Sequence, residues 1–423
     1  MVDALIFLNN IMKKLKPLDF DLNKKDIGTY ELPPEIAHLE EYKKYAKPIK
    51  EGVWGFFIPQ FTKTGANNED WYTFRYHTLG ASSVATLTDH DEYGDPVKMF
   101  WEKIGMSTPK IYSKFMTAGS HFESGIADLW DFNDGTDDGW AEIWSSGKKV
   151  RQKAEIPCYA INLDYPHLSA SLDYLALGGQ KSPFTGEVIN FDFGIEVKNI
   201  SYFAAQKYNG GIPVRYVFQL HQQMLVTNTT YAEIASLTGG FDSKVTPFEM
   251  DFDICQDLII KSYDFWKRVE AARPIYAELK PLEDKLASMS SAQQNSDQGE
   301  DLKLLIGELD RKIYELEPEP SANEAYKEWY TSRYKETLED ASRLGTQDEW
   351  DQAVRYKVIN DTIKDLKTEQ DGIKNKLLSS TRYDSTVEFG DEGSNGRILS
   401  KKFWDVKKEE YKSTFRVNIK NYK

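Results

Sequence analysis

The sequence predicts a mixed α/β domain interrupted by a long helical arm, and three observations carry that prediction. Between residues 54 and 273, short runs with two-residue alternation trade places with segments of helical period. After Pro274 the composition shifts to Lys, Glu, Leu and Gln with heptad spacing, and from Arg382 onward strand-like alternation returns.

Taken in order, residues 1–53 form a charged, helical extension, broken at Leu32-Pro33-Pro34 and resuming as a helix from Glu35 to Tyr45. Within the core, 54–273, helices are expected at Pro96–Ile104 and Ser120–Trp130, with strands at Ala154–Leu163, Ala170–Leu175, Phe191–Val197 and Arg215–Phe218. Gly178-Gly179 and Pro183–Gly186 suggest a hairpin between the second and third of these strands. A helix follows over Gln219–Val226, and another over Ile254–Val269 that should stop before Pro274. In the arm, 274–380, Leu279, Leu282, Leu286 and Met289 step by three and four. Ile359, Ile363, Leu366, Ile373 and Leu377 continue that rhythm past a polar Gln370, which predicts helices packed as a hairpin or coiled coil. Ser290–Gly299 reads as an exposed turn between them. The C-terminal β segment, 381–423, is expected to fold back onto the core, leaving the arm as an insertion.

At 423 residues and 40% hydrophobic content the chain can bury a large core. It has no apolar run near the roughly 18 residues that a membrane span needs, and Ala4–Leu8 is too short for a signal-peptide core. Two distant cysteines, Cys158 and Cys255, build neither a disulfide framework nor a zinc or iron–sulfur site. A net charge of −14 argues against a nonspecific coat on nucleic acid, yet leaves room for an enzyme with a local basic channel.

The chemistry concentrates in Asp173 and the triplet Glu196-Val197-Lys198. Residues two apart on a strand share one face, so Glu196 and Lys198 address one space while Val197 turns into packing. A carboxylate there can hold a divalent cation, and an ammonium can position or deprotonate a water. Glu123, beside the apolar stripe of Ile126 and Trp130, is a third acid on a core-facing helix edge. Hydrolysing a phosphodiester calls for several such carboxylates converging on one point.

Five motifs in order then resemble the lambda-type phage exonucleases, the viral alkaline exonucleases of the PD-(D/E)XK nuclease superfamily. They are Trp71-Tyr72-Thr73-Phe74-Arg75 with Leu79-Gly80-Ala81-Ser82-Ser83, Gly119–Trp130, Ser169–Tyr174, Ile195–Lys198 and Phe218–Thr227. The resemblance implies a restriction-endonuclease-like central sheet flanked by helices. It also implies Mg²⁺ or Mn²⁺, two ions per site, held by Glu123, Asp173, Glu196 and the Val197 carbonyl, with Lys198 orienting the water. Arg75, Ser82, Ser171 and Gln219 match the positions that cradle the 5′-phosphate of a DNA end, and Trp71 the aromatic at the terminal base pair. Further implications are 5′→3′ digestion of linear duplex to leave 3′ tails, a toroidal homotrimer, a single-strand annealing protein as partner, and the cytoplasm of a bacterial host.

Two departures stand out. The interval from Asp173 to Glu196 is longer than in compact members, and His221 occupies the place where a second Gln often follows the first, which makes it a secondary candidate. An endonuclease on the same core and a non-catalytic DNA-end scaffold are the rival readings. Asp89-His90-Asp91-Glu92 reads as a solvated loop, Asp192 and Glu187 as surface acids, His121 and His167 as structural, and the arm as an interaction element rather than a DNA reader.

Overall fold

The computed structural model describes residues 18–60, 68–88, 90–106, 114–134, 139–182, 185–208, 211–334, 344–381, 386–389, 396–405 and 410–419. Ala4–Leu8 and Asp89 therefore lie outside the described residues. The chain forms two compact units, Met1–Lys335 and Glu336–Lys423.

The first unit opens with Pro34–Tyr45, which coils in 3₁₀ turns rather than the expected α-helix, with non-helical backbone at Ile36 and Leu39. Strands β1 (Ala46–Lys50) and β2 (Val53–Phe56) pair antiparallel, and helix α1 (Glu69–Thr73) leads into the turn Phe74–Tyr76. Strand β3 (Leu79–Gly80) precedes helices α2 (Pro96–Ile104), α3 (Lys114–Asp131) and α4 (Gly139–Ser146). Six short strands follow: β4 (Lys153–Ala154), β5 (Tyr159–Asn162), β6 (Leu168–Ser169), β7 (Tyr174–Ala176), β8 (Gln180–Lys181) and β9 (Val188–Ile189). After them come β10 (Phe193–Ile200), α5 (Tyr202–Lys207), α6 (Val214–Thr227), β11 (Tyr231–Thr238) and β12 (Asp242–Glu249). Helices α7 (Phe252–Ser288), α8 (Ser291–Gln294), α9 (Asp297–Tyr314) and α10 (Glu324–Arg333) complete the unit.

A five-stranded sheet in the order β12-β11-β10-β7-β4 lies at its centre. β10 and β11 run parallel and the other neighbours antiparallel, so the sheet is mixed, as expected. Alternation along β10 sorts its two faces. Ile195 and Val197 join Ile126, Ala127 and Trp130 of α3 in one apolar layer, while Glu196 turns to the other face and meets α6. The expected hairpin is present as β8 and β9, paired Gln180 to Ile189 and Lys181 to Val188.

Several local expectations fail for tertiary reasons. Arg215–Phe218 is the first turn of α6, not a strand; Pro213 with its fixed φ opens the helix, and every residue from Phe218 to Thr227 is buried. Ala154–Leu163 divides into β4 and β5, which join different sheets, because Pro157 between them cannot donate to a ladder. Helix α7 does not stop at Val269 but runs through Pro274 and Pro281. Each interior proline costs roughly 3 kcal/mol, and the helix persists because Ala272, Tyr276 and Leu279 are buried in the core. Residues 290–299 are not a bare turn: Ser290 and Gln293 make a capping box, and Gly299 is buried at the start of α9. Leu309 and Ile313 of α9 then join Leu279 of α7 in the main core, so the helix that packs on α7 carries none of the heptad residues singled out in the sequence.

The second unit contains helix α11 (Gln347–Thr381) and an antiparallel sheet of β13 (Thr386–Phe389), β14 (Gly396–Asp405) and β15 (Glu410–Ile419). Ile359, Ile363, Leu366 and Ile373 are exposed along α11.

Candidate active site

Pairing between β7 and β10 ends at Tyr174 opposite Ile195, so the next residue on each strand is free of the ladder. Asp173 uses that gap: its carboxylate accepts the Val197 N–H at 2.8 Å, which ties the first acid to the middle of the Glu196-Val197-Lys198 triplet. The N–H and C=O of a strand residue point to the same side, so the Val197 carbonyl faces Asp173 as well. A sequence distance of 24 residues is thereby reduced to contact.

Glu196 is only 2% exposed and is held by donors from α6 and from its own strand. Gln219 Nε2 donates to its Oε1 at 2.6 Å, Gln223 Nε2 to its Oε2 at 2.5 Å, and Lys198 Nζ also donates to Oε1. Gln223 stands one helical turn beyond Gln219 and reaches the same carboxylate, with a second, longer contact to the Ser171 carbonyl at 3.3 Å. Sequence reasoning missed Gln223. The signal was present, since a four-residue step on a helix pairs side chains as a two-residue step does not.

His221 lies on another face of α6. Its Nε2 accepts the Asp251 N–H at 3.0 Å, which requires the proton on Nδ1, and Nδ1 donates to the Val217 carbonyl at 2.7 Å. Buried and doubly engaged, it ties α6 to the start of α7 and does not border the cavity.

A cavity of about 250 Å³ is lined by Trp71, Arg75, Ser82, Ser171, Asp173, Glu196, Lys198 and Gln219, together with Thr78, Gly80, Ala81, Tyr159 and Ser169. Eight of the eleven residues singled out in the sequence thus share one space; Glu123, Val197 and His221 are not on its lining. Arg75 and Ser82 are exposed, one on the turn after α1 and one after β3. That turn is fixed from below. The buried Lys103 Nζ donates to the carbonyls of Arg75 and of Thr78, the latter at 2.7 Å, and Arg273 of α7 donates to the Tyr76 carbonyl. Trp71 rests on Tyr159 with ring centroids 4.4 Å apart.

The electrostatics are those of crowded acids. Burial and then the Glu196 charge push the Asp173 carboxyl well above the usual range, against the opposing pull of Lys198 and the Val197 N–H. Burial also raises Glu123, and Glu196 raises it further, which brings Glu123 into the field of the same cluster. Burial alone would depress Lys198, but Glu196 and Asp173 outweigh it and hold its ammonium charged. Such a site carries more negative charge than its own donors neutralise. Oxygen donors from Asp173, Glu196, Glu123 and the Val197 carbonyl suit a hard divalent cation such as Mg²⁺ or Mn²⁺. Among the described residues no three acids, histidines or cysteines are grouped closely enough to hold a metal ion by themselves.

Other singled-out residues have structural roles. Asp192, expected at the surface, is buried because its carboxylate accepts the N–H groups of Phe20 at 2.9 Å and Gly178 at 2.7 Å, fixing the hairpin base. His167, lowered to about 4 by burial, hydrogen-bonds Ser262 at 3.1 Å. Asp91 accepts from Thr86 Oγ1 at 2.7 Å, and Glu92 pairs with Lys207. Cys158 and Cys255 are buried and free.

Residues 70–230 match the family described as the YqaJ-like viral recombinase domain, a span that contains every residue lining the cavity. Among solved structures, the alkaline exonuclease LHK-Exo from Laribacter hongkongensis is similar at 18% identity, with 53% of this chain and 100% of that chain covered and a TM-score of 0.36. The same enzyme in complex with dAMP is similar at 19% identity over the same coverage, also with a TM-score of 0.36. No curated protein matches. Over residues 70–230 the chain is thus similar to the YqaJ-like viral recombinase domain, and that span holds the motifs that resemble the lambda-type exonucleases.

Proposed function

We propose that the protein is a metal-dependent exodeoxyribonuclease that degrades one strand of linear duplex DNA from its 5′ end, leaving 3′ single strands for recombination by annealing. One observation carries the reading: Asp173, Glu196 and Lys198, two acids and a lysine suited to phosphodiester cleavage, share a single cavity with Arg75, Ser82, Ser171 and Gln219, a donor set suited to a terminal phosphate.

Asp173, Glu196, Glu123 and the Val197 carbonyl would hold Mg²⁺ or Mn²⁺, two ions in the full site. Bound divalent ions supply charge compensation for the phosphorane and lower the pKa of the attacking water. The residues of the chain do the rest. Gln219 and Gln223 fix the Glu196 carboxylate, Lys198 keeps its ammonium beside that carboxylate to orient the water, and Asp173 stays registered through the Val197 N–H. The Arg75 guanidinium and the Ser82 and Ser171 hydroxyls engage the 5′-phosphate, so the scissile bond falls one nucleotide inward. Trp71, backed by Tyr159, meets the terminal base pair. An acidic chain needs positive surface only where DNA passes, which suits a toroidal homotrimer threading the duplex in the host cytoplasm beside an annealing protein. No helix among the described residues is long and apolar enough to cross a membrane.

The test is digestion, with Mg²⁺, of linear duplex with and without a 5′-phosphate and of covalently closed circles. Loss of linear DNA only, faster with the phosphate, is the expected outcome. Cutting of circles would make the protein an endonuclease, and no cutting would make it a scaffold. Lys198→Ala is expected to abolish cleavage while sparing DNA binding, and Arg75→Ala to erase the preference for the phosphate.

A further inference from the structure

The catalytic face of β10 does not end at Lys198. In the parallel register Lys198 lies opposite Ser236 and Ile200 opposite Thr238, so these four side chains continue the same face of the sheet. At about 3.3 Å per residue, Ile200 stands only some 6–7 Å beyond Lys198. There a second cavity, of about 490 Å³, is lined by Ile200, Tyr202, Ile212, Phe241 and Lys244 among others, including Ser236 and Thr238. The first cavity, with Asp173 and Lys198 on its lining, involves the β7 side of β10, and this one involves its β11 side, with Ser236 and Thr238 of β11 on its lining.

Two aromatic residues of its lining are open to solvent, Tyr202 at 56% and Phe241 at 75% exposure, and Phe203, next to Tyr202 in the chain and outside the lining, is 81% exposed. Tyr202 and Phe203 start α5, with rings 6.2 Å apart, and Phe241 follows the Gly239-Gly240 turn between β11 and β12. Gly239 has φ +62°, and a Cβ there would meet the Phe241 ring at 3.4 Å and the Tyr202 Cβ at 3.7 Å. The turn, anchored by the Gly239 N–H on the Ile200 carbonyl at 2.9 Å, thus brings Phe241 beside Tyr202.

We propose that Tyr202, Phe203 and Phe241 form a stacking platform for single-stranded DNA, receiving the strand left unpaired as its complement is removed. The proposal rests on the nuclease reading above. Flat aromatic faces accept any base, and Lys244 on the cavity wall supplies charge for the backbone, which is the composition of sequence-tolerant single-strand sites. Gln206, Ser236, Thr238 and Asp242 intersperse polar groups that a dry protein interface would exclude.

The test uses the full chain in EDTA, so that binding is read without cleavage. Anisotropy of a labelled oligothymidine is measured for wild type, Tyr202→Ala/Phe241→Ala and Phe203→Ala, with Phe241→Trp as the conservative control and thermal melting as the check on folding. About tenfold weaker binding by the double variant is expected, at the low end of what losing a base–aromatic stack costs. Phe241→Trp should retain wild-type affinity, and cleavage of a short linear duplex with Mg²⁺ should persist in all four proteins. Unchanged oligothymidine binding by the double variant overturns the platform. So does a change in oligomeric state in the double variant, which would assign the aromatic rim to a second copy of the chain. A wild type that binds oligothymidine but cuts nothing would sink the nuclease reading while leaving the binding measurement intact.

Discussion

Replacing Gln223 by leucine separates the candidate chemistry from the fold. The Gln223 amide donates to the Glu196 carboxylate at 2.5 Å, while its Oε1 is buried with no hydrogen-bond partner. Leucine of similar volume therefore removes one unsatisfied oxygen along with one donor, so the two effects on stability oppose each other. The carboxylate, by contrast, loses one of three donors and with it a fixed orientation. A hydrogen bond to a charged group contributes about 1.5–3 kcal/mol. At about 1.4 kcal/mol per decade, that is roughly a 10- to 150-fold fall in kcat if the clamp is used in the transition state. The assay is steady-state digestion of 5′-phosphorylated linear duplex at saturating Mg²⁺, with duplex affinity in EDTA and the melting temperature measured alongside. Affinity and melting temperature should stay near wild type while kcat falls. A kcat within about twofold of wild type, with the fold intact, would refute the claim that α6 positions Glu196 for chemistry.

The other predictions bear on stability and on the phosphate pocket. Arg151 and Glu233 form an ion pair with Nη1–Oε2 at 2.8 Å and Nη2–Oε1 at 2.9 Å, both residues buried, and Trp130 and Tyr231 also donate to the carboxylate. Arg151→Met should cost about 3–5 kcal/mol in urea unfolding, and adding Glu233→Met should recover part of that loss. Lys103→Met releases the carbonyls of Arg75 and Thr78, so a loss of about 1–3 kcal/mol is expected, with the 5′-phosphate preference eroded but cleavage retained. Burial raises the Glu317 carboxyl from 4.5 to about 7, although Trp101 donates to it at 2.6 Å. The folded state then binds more protons than the unfolded chain between these values, so this group's contribution falls as pH rises through that window. Glu317→Gln should accordingly stabilise the protein by on the order of 1 kcal/mol at about pH 8, a figure reduced for partial solvent access, and change little below about pH 4. Equal effects at both pH values, in thermal melts, would show that the carboxyl does not titrate this way.

Legibility in the sequence followed the range of the physics. The two-residue period that sets Glu196 and Lys198 on one face is local, and β10 obeys it. Capping and composition are local as well, and Pro96–Ile104 has the bounds expected of it, with Asp95 as its cap. Arg215–Phe218 failed because alternation over four residues is compatible with a buried helical turn, and burial decided. Pro274 failed as a stop because the packing of α7 on the core exceeds the local penalty of the ring. His221 took attention that belonged to Gln223: on a helix, a step of four returns to the same carboxylate, whereas a step of two points to another face.

The sequence by itself determined the chemical inventory, the alternation along β10 and the order of motifs on which the family resemblance rests. Only the tertiary structure decided which groups meet. Asp173 reaches Val197 because the β7–β10 ladder ends one residue short of it, and Arg75 faces the acids because Lys103 and Arg273 hold its turn from beneath. Likewise Tyr202 and Phe241 stand together because a glycine turn leaves room for their rings. Each of these meetings depends on contacts between residues far apart in the chain, to which local periodicity is blind.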